Sequence, residues 1–231
     1  MNSKTGDFLT KLNSLYGNIT TISSKYMGII VILVIAIIII AITYFLSFNV
    51  RSNSKITEIT KKYDATIEYQ TNYCSDNLID YKLKDYHVLS STNSLMTGLE
   101  KYDYINTKML ETIMYYGTRY IELVVLNKDG LVDTNPVLSY GIQIGNWKTS
   151  YNVIDPADIF TFISQNAFSQ QFIPNYRDPL FVFLDIKTDG NLETLDRLYD
   201  IIISTCNQFL LDDKYRNEKI NLANVSVCNL M

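Results

Sequence analysis

The chain is poor in the residues on which much enzyme chemistry depends. It has one histidine, His87, so a single imidazole is all it offers for proton exchange near pH 7. Its three cysteines, Cys74, Cys206 and Cys228, are too widely spaced to indicate a zinc site or a disulfide framework, and their odd number leaves the redox compartment open. No stretch is rich in Lys and Arg, and the net charge is −4. Both facts argue against nucleic acid as the main partner, because a phosphate backbone needs a basic surface.

What the chain has in excess is one apolar run. Residues 27–48 read MGIIVILVIAIIIIAITYFLSF, 22 residues without a charge and with nine isoleucines, polar only at Thr43, Tyr44 and Ser47. As a helix this run is roughly 33 Å long, enough to cross a hydrocarbon core of about 30 Å. A soluble core helix this apolar on every face would need a large domain around it, and the run is too long and too far from Met1 for a cleaved signal peptide. The expectation is a single membrane anchor. It divides the chain into a loose polar tail (1–26), the span (27–48), a helical stalk (49–72), an α/β domain (73–210) and a C-terminal tail (211–231). Lys4, Lys11 and Lys25 precede the span and Arg51, Lys55, Lys61 and Lys62 follow it, a count that favours the cytoplasmic side for the domain by one charge. The sequons Asn18-Ile19-Thr20 and Asn224-Val225-Ser226 lie on opposite sides of the span and decide nothing.

Beyond the span, Ile56, Ile59, Tyr63 and Ile67 recur at helical spacing, with Glu58 placed to pair with Lys61 or Lys62. The pattern then alternates. Residues 87–91, 119–126, 136–140 and 179–186 read as strands; 104–116, 155–168 and 191–210 read as helices. Gly117 stands where a helix C-cap belongs, and Asp155-Pro156 reads as an N-cap followed by proline at the first helical position. This order predicts a parallel α/β sheet or a TIM-barrel-like (β/α) unit. A closed barrel needs eight strands and about 250 residues. From His87 onward only 145 residues and about four strands remain. The expected fold is therefore a partial TIM-barrel-like domain after one N-terminal transmembrane helix.

Five blocks in order carry a family resemblance: Ser90-Ser91-Thr92-Asn93-Ser94, Gly117-Thr118-Arg119-Tyr120-Ile121-Glu122-Leu123, Pro136-Val137-Leu138-Ser139-Tyr140-Gly141, Ala167-Phe168, and Pro179-Leu180-Phe181-Val182-Phe183-Leu184-Asp185. Together they resemble the X-region of the phosphoinositide-specific phospholipase C family, over roughly residues 87–205. With Asn175-Tyr176-Arg177-Asp178-Pro179, the chain is also similar to divergent membrane-anchored phospholipase-like chains of large DNA viruses of protists.

The resemblance implies a phosphoric diester hydrolase site with two histidines and a Ca²⁺ ion. Carried over by position, Thr92 and Tyr140 stand where the family has its histidines. A threonine hydroxyl is far too weak an acid for that work, and a tyrosine ordinarily titrates near about 10. Losing one acid–base group costs ~10²–10⁴ in rate, so losing both leaves little beyond binding. His87 opens the first strand, five residues before Thr92, whereas barrel active sites gather where strands end. For the metal, Asn93, Glu122 and Asp185 match three of the four implied ligands, and Val124 replaces the fourth, a carboxylate. Asn93 and Lys187 are the implied headgroup-binding residues, and the loop around Trp147 is a candidate lipid contact.

Three functions follow as alternatives. The first is a degenerate phospholipase C-like domain that binds a phosphoinositide-like headgroup or a protein without cleaving lipid. The second is an active hydrolase of phosphatidylinositol lipids. The third is a structural membrane protein, for example of a virion membrane. The implied partners are membrane lipid, and a second copy or a second chain to complete the barrel. Exposed strand edges invite such pairing.

Overall fold

The computed structural model describes residues 3–63, 81–98, 104–130, 132–141 and 150–230. They fall into two units, Met1–Arg51 and Ser52–Met231. Helix α1 (Ser3–Tyr63) makes up the first unit and begins the second. Within it, Tyr26–Tyr44 is long and apolar enough to cross a membrane, and none of that stretch is buried. The tail expected to be loose is helical from Ser3 onward. The reason is cooperative: the costly helical nucleus already exists in the apolar run, and each residue added to it gains one hydrogen bond. All four prolines of the chain lie at or beyond Pro136, so none interrupts α1.

The last turns of α1 belong to the second unit. Ile56 is buried there, the Tyr116 hydroxyl donates to the Thr60 carbonyl at 3.4 Å, and the rings of Tyr63 and Tyr116 are 6.0 Å apart. Glu58 pairs with Lys55 at 3.0 Å, one turn before the lysines the sequence offered it. The predicted stalk beyond Tyr63, with Ile67 and Cys74, lies outside the described residues.

The second unit is a four-stranded mixed sheet with its three core helices packed on one face. Its elements are β1 (Ser90–Ser91), α2 (Thr107–Tyr115), β2 (Tyr120–Asn127), β3 (Pro136–Ser139), α3 (Pro156–Asn166), β4 (Phe181–Ile186), α4 (Leu192–Cys206) and α5 (Asp213–Asn217). β2 is the hub. It pairs in parallel with β4 along Tyr120 to Val125, in parallel with β1 at Tyr120 and Ile121, and antiparallel with β3 at Val124 to Asn127. The antiparallel β3 corrects the all-parallel expectation. A parallel return needs a crossover of a dozen or more residues, and the turn through Asp129 and Gly130 is too short for one. Gly130 takes φ +103° in that turn. The pairings do not close a barrel.

Strand alternation divides the side chains cleanly. Ile121, Leu123, Val125 and Leu138 face the helices and join Leu110, Ile113, Met114, Ile159, Phe160, Ile163 and Leu198 in one core. Full burial of each such aliphatic side chain stabilises the fold by about 1.5–3 kcal/mol. The predicted punctuation is in place. Asp155 accepts from the Ala157 amide at 2.9 Å with Pro156 opening α3, and Gly117 ends α2 at φ +89° while donating to the Met114 carbonyl at 2.9 Å. Asn191 caps α4 by accepting from the Thr194 amide at 3.2 Å.

Candidate functional site

The core helices α2, α3 and α4 pack on the Ile121, Leu123 and Val125 face; on the opposite face, residues of the segment after α4, Tyr215 of α5 among them, line a cavity with Tyr120, Phe181 and Phe183. Register places Tyr120 beside Phe181, Glu122 beside Phe183, and Val124 between Asp185 and Ser139. Parallel partners share a face, so Glu122 and Asp185 lie diagonally across β2 and β4 with Val124 beside them. Val124 packs with Leu126 and Val137 in a small buried cluster. Tyr120 stacks on Phe183 with ring centres 6.4 Å apart, and Phe183 is 49% exposed.

The turn after β1 is latched to β2 at Glu122. The Ser94 amide donates to the Glu122 carbonyl at 3.1 Å, and the Glu122 amide donates to Ser94 Oγ at 3.0 Å. Asn93 occupies the left-handed region at φ +50°, a conformation that asparagine tolerates better than most side chains. Its amide there donates to Glu122 Oε2 at 3.4 Å. Thr92 is exposed at the same turn, and Asn93 is half-buried. Sequence and structure thus bring Thr92, Asn93 and Glu122 together at one end of β1 and β2.

Just past the end of β4, Lys187 Nζ pairs with Asp185 Oδ2 at 2.8 Å and donates to the Gly141 carbonyl at 3.2 Å. The two side chains are 37% and 32% exposed, so solvent reaches both. This ion pair was not read from the sequence, although the i,i+2 spacing on a strand places both residues on one face. Tyr140, the other residue at a family histidine position, is half-buried against the helix-side core. Its amide donates to Ser150 Oγ at 3.2 Å, and Ser139 and Ser150 hydrogen-bond through their hydroxyls. His87 is exposed upstream of β1, and Trp147 lies outside the described residues.

The donor set falls short of a calcium site. A hard cation takes six to eight oxygens. Here Asp185 already has an ammonium partner, Val124 contributes no oxygen, and the described residues include no cluster of three His, Cys, Asp or Glu able to hold a metal. The arrangement can instead present an ammonium group held between one carboxylate and one backbone carbonyl.

A second polar cluster stands just before β2, around a buried arginine. Arg119 Nη1 donates to the Ala167 carbonyl at 2.9 Å, Nη2 donates to the Asn175 carbonyl at 2.7 Å, and the guanidinium lies 5.6 Å from the Phe168 ring centre. Asn175 Nδ2 donates to the Gly117 carbonyl at 3.2 Å and to Asp178 Oδ2 at 3.0 Å. Burial lowers the guanidinium to about 10, against a smaller upward pull from Asp178. Burial raises the Asp178 carboxyl above its ordinary value, and its hydrogen bond from Asn175 and the charge of Arg119 only partly offset this. These residues join three of the sequence blocks into one scaffold. They hold the loop before β4 against the start of β2.

No protein-family model matches the chain, and no curated protein matches it. Among solved structures it is similar to the phospholipase PLC21 of L. pealei, at 15% identity and a TM-score of 0.44, and to PLC21 of S. officinalis, at 16% identity and a TM-score of 0.45. Each match covers 58% of this chain and 15% of the other. The chain thus spans a small part of the length of either protein.

Proposed function

We propose that this is a single-pass membrane protein whose α/β domain resembles a phospholipase C catalytic half and holds a phosphate-bearing lipid headgroup without cleaving it. The observation that carries the reading is the position of Lys187. Two of its three N–H donors are engaged, by Asp185 and Gly141, which leaves one for a phosphate oxygen at the end of β4. Among the described residues, the family's histidine positions hold no imidazole. Thr92 is a hydroxyl, Tyr140 is packed against the core, and His87 precedes the strand rather than following it. Binding at such a site is weak, because Glu122 and Asp185 repel an anion that Lys187 attracts. A helix fixed in the bilayer offsets that weakness by raising the local lipid concentration.

A second reading is favoured by the exposed aromatic face. Tyr120 and Phe183 stack on the face of the sheet opposite α2, α3 and α4, and β4 pairs only with β2 among the described strands. A second copy or another chain that continues the sheet from β4 would cover that face and complete more of a barrel. The two readings part on one measurement. The full chain in nanodiscs is tested for capture of soluble short-chain phosphatidylinositol phosphate and of the matching phosphate-free lipid. Headgroup recognition predicts preference for the phosphorylated lipid, reduced several-fold by Lys187→Gln. Equal capture of both lipids by the unsubstituted chain sinks the headgroup reading and leaves the partner surface.

A further inference from the structure

The segment after α4 raises a question of what holds it in place. Among the described side chains of residues 207–230, only Val227 is buried. The segment does have backbone partners at its far end. Lys82 and Ser226 form an antiparallel bridge, the Leu83 amide donates to the Val225 carbonyl at 2.9 Å, and the Val227 amide donates to the Tyr81 carbonyl at 3.3 Å. The Tyr215 hydroxyl adds a bond to the Asn229 carbonyl at 3.1 Å. The Phe209 ring also stacks on Phe168 with centres 4.8 Å apart. Partly solvated hydrogen bonds each contribute little against the entropy lost in ordering a polar segment.

Covalent chemistry supplies what burial does not. Cys228, next to the Val225 to Val227 pairing, is disulfide-bonded, and its partner sulfur lies outside the described residues. Cys206 is different. It is a free thiol in the core, donating to the Phe160 carbonyl at 3.4 Å. The held segment also has a structural role, since Gln208 to Asp212, Tyr215 and Leu230 wall a cavity of about 920 Å³ against Phe181 and Phe183 of β4.

We propose that Cys228 forms a structural disulfide that clamps the C-terminal segment, and that the chain beyond the span therefore matures on the oxidising, exoplasmic face of its membrane. Two thiols lose two protons and two electrons as the S–S bond forms. The electrons pass to the disulfide of a thiol–disulfide oxidoreductase, which leaves as the dithiol. A mesophilic cytosol keeps such thiols reduced, so the bond specifies the compartment. The flanking Lys and Arg count points to the other face by a single charge, a bias too small to fix orientation alone. Neither the clamp nor the side depends on the phosphate-site reading.

The test uses the full chain translated into sealed microsomes derived from an oxidising compartment. External protease is added, and the denatured product is alkylated with one label before reduction and another after it. The proposal predicts that peptides after residue 51 survive protease, that Cys206 takes the first label and that Cys228 takes only the second. Digestion of the C-terminal peptides in intact vesicles overturns it, as does first-label modification of Cys228. A glycan on Asn224 supports the assigned side, whereas one on Asn18 overturns it. A Cys228→Ser chain tests the clamp separately. After solubilisation, limited proteolysis is expected to cut residues 207–230 several-fold faster while α4 resists, and an unchanged cleavage rate contradicts the clamp.

Discussion

Arg119 shows how much of the domain rests on single side chains. It is 3% exposed, its two terminal nitrogens bridge two separate loop carbonyls, and its Nε has no hydrogen-bond partner among the described residues. A lysine keeps the buried charge but cannot reach both carbonyls with a planar fork. Arg119→Lys is expected to destabilise the domain by about 2–3 kcal/mol in urea unfolding, the scale of lost hydrogen bonds to a charged group. A loss below about 0.5 kcal/mol, typical of surface substitutions, would mean that the bridge contributes little. Asp178, nearby, makes a pH prediction. Its folded-state value is raised, so the folded chain binds this proton more tightly than the unfolded chain. Its contribution is fully present below the unfolded value of about 3.9 and is lost as pH rises through the higher folded value. The Tm of Asp178→Asn should therefore gain on that of the parent between about pH 3 and pH 6. A variant-minus-parent Tm difference that stays flat or falls over that range would contradict the assigned direction. At this scale the sequence was informative about residue type and silent about pairing. Glu122, Asp185 and Lys187 were marked as polar residues of one site, but the Asp185–Lys187 ion pair and the Arg119 bridges depend on contacts between distant segments.

The elements were more legible, for a local reason. Caps, glycine stops and strand alternation act within a few residues, so Asp155, Gly117 and the Tyr120–Asn127 run could be placed without tertiary information. Two features needed more than local pattern. The direction of β3 depends on the turn before it, and the helical state of residues 3–26 depends on the span beside them. Helix α4 allows a direct check of the core it packs on. Leu198 is 3% exposed among α3 and the sheet, while its neighbour Tyr199 is 59% exposed. Leu198→Ala should cost about 2–5 kcal/mol through lost contacts and the cavity left behind. Tyr199→Ala should stay within about 0.5 kcal/mol. Equal costs at the two positions, measured by chemical unfolding, would contradict the packing described for α4.

For the whole molecule, the proposed anchor and the proposed headgroup site belong to one account. An apolar stretch with none of its surface buried is suited to lipid, and a charge placed in the middle of it meets the cost of a charge in hydrocarbon. Ile35→Arg is expected to weaken membrane insertion by about 2.5–3.5 kcal/mol, read as a larger fraction of chain released by alkaline extraction. The sequence blocks that resemble a phospholipase have two fates in the fold. Gly117, Arg119, Ala167, Phe168 and Asn175 form a hydrogen-bonded scaffold, whereas the positions that would exchange protons hold an exposed threonine and a core-packed tyrosine. On the proposed reading, a chain with this scaffold and with Thr92 and Tyr140 at those positions is expected to bind and not to cleave. The most direct test is release of inositol phosphate from phosphatidylinositol in nanodiscs that contain the full chain, with Ca²⁺ and with chelator. The account predicts no release above protein-free nanodiscs in either condition. Release that is abolished by Glu122→Ala would contradict it.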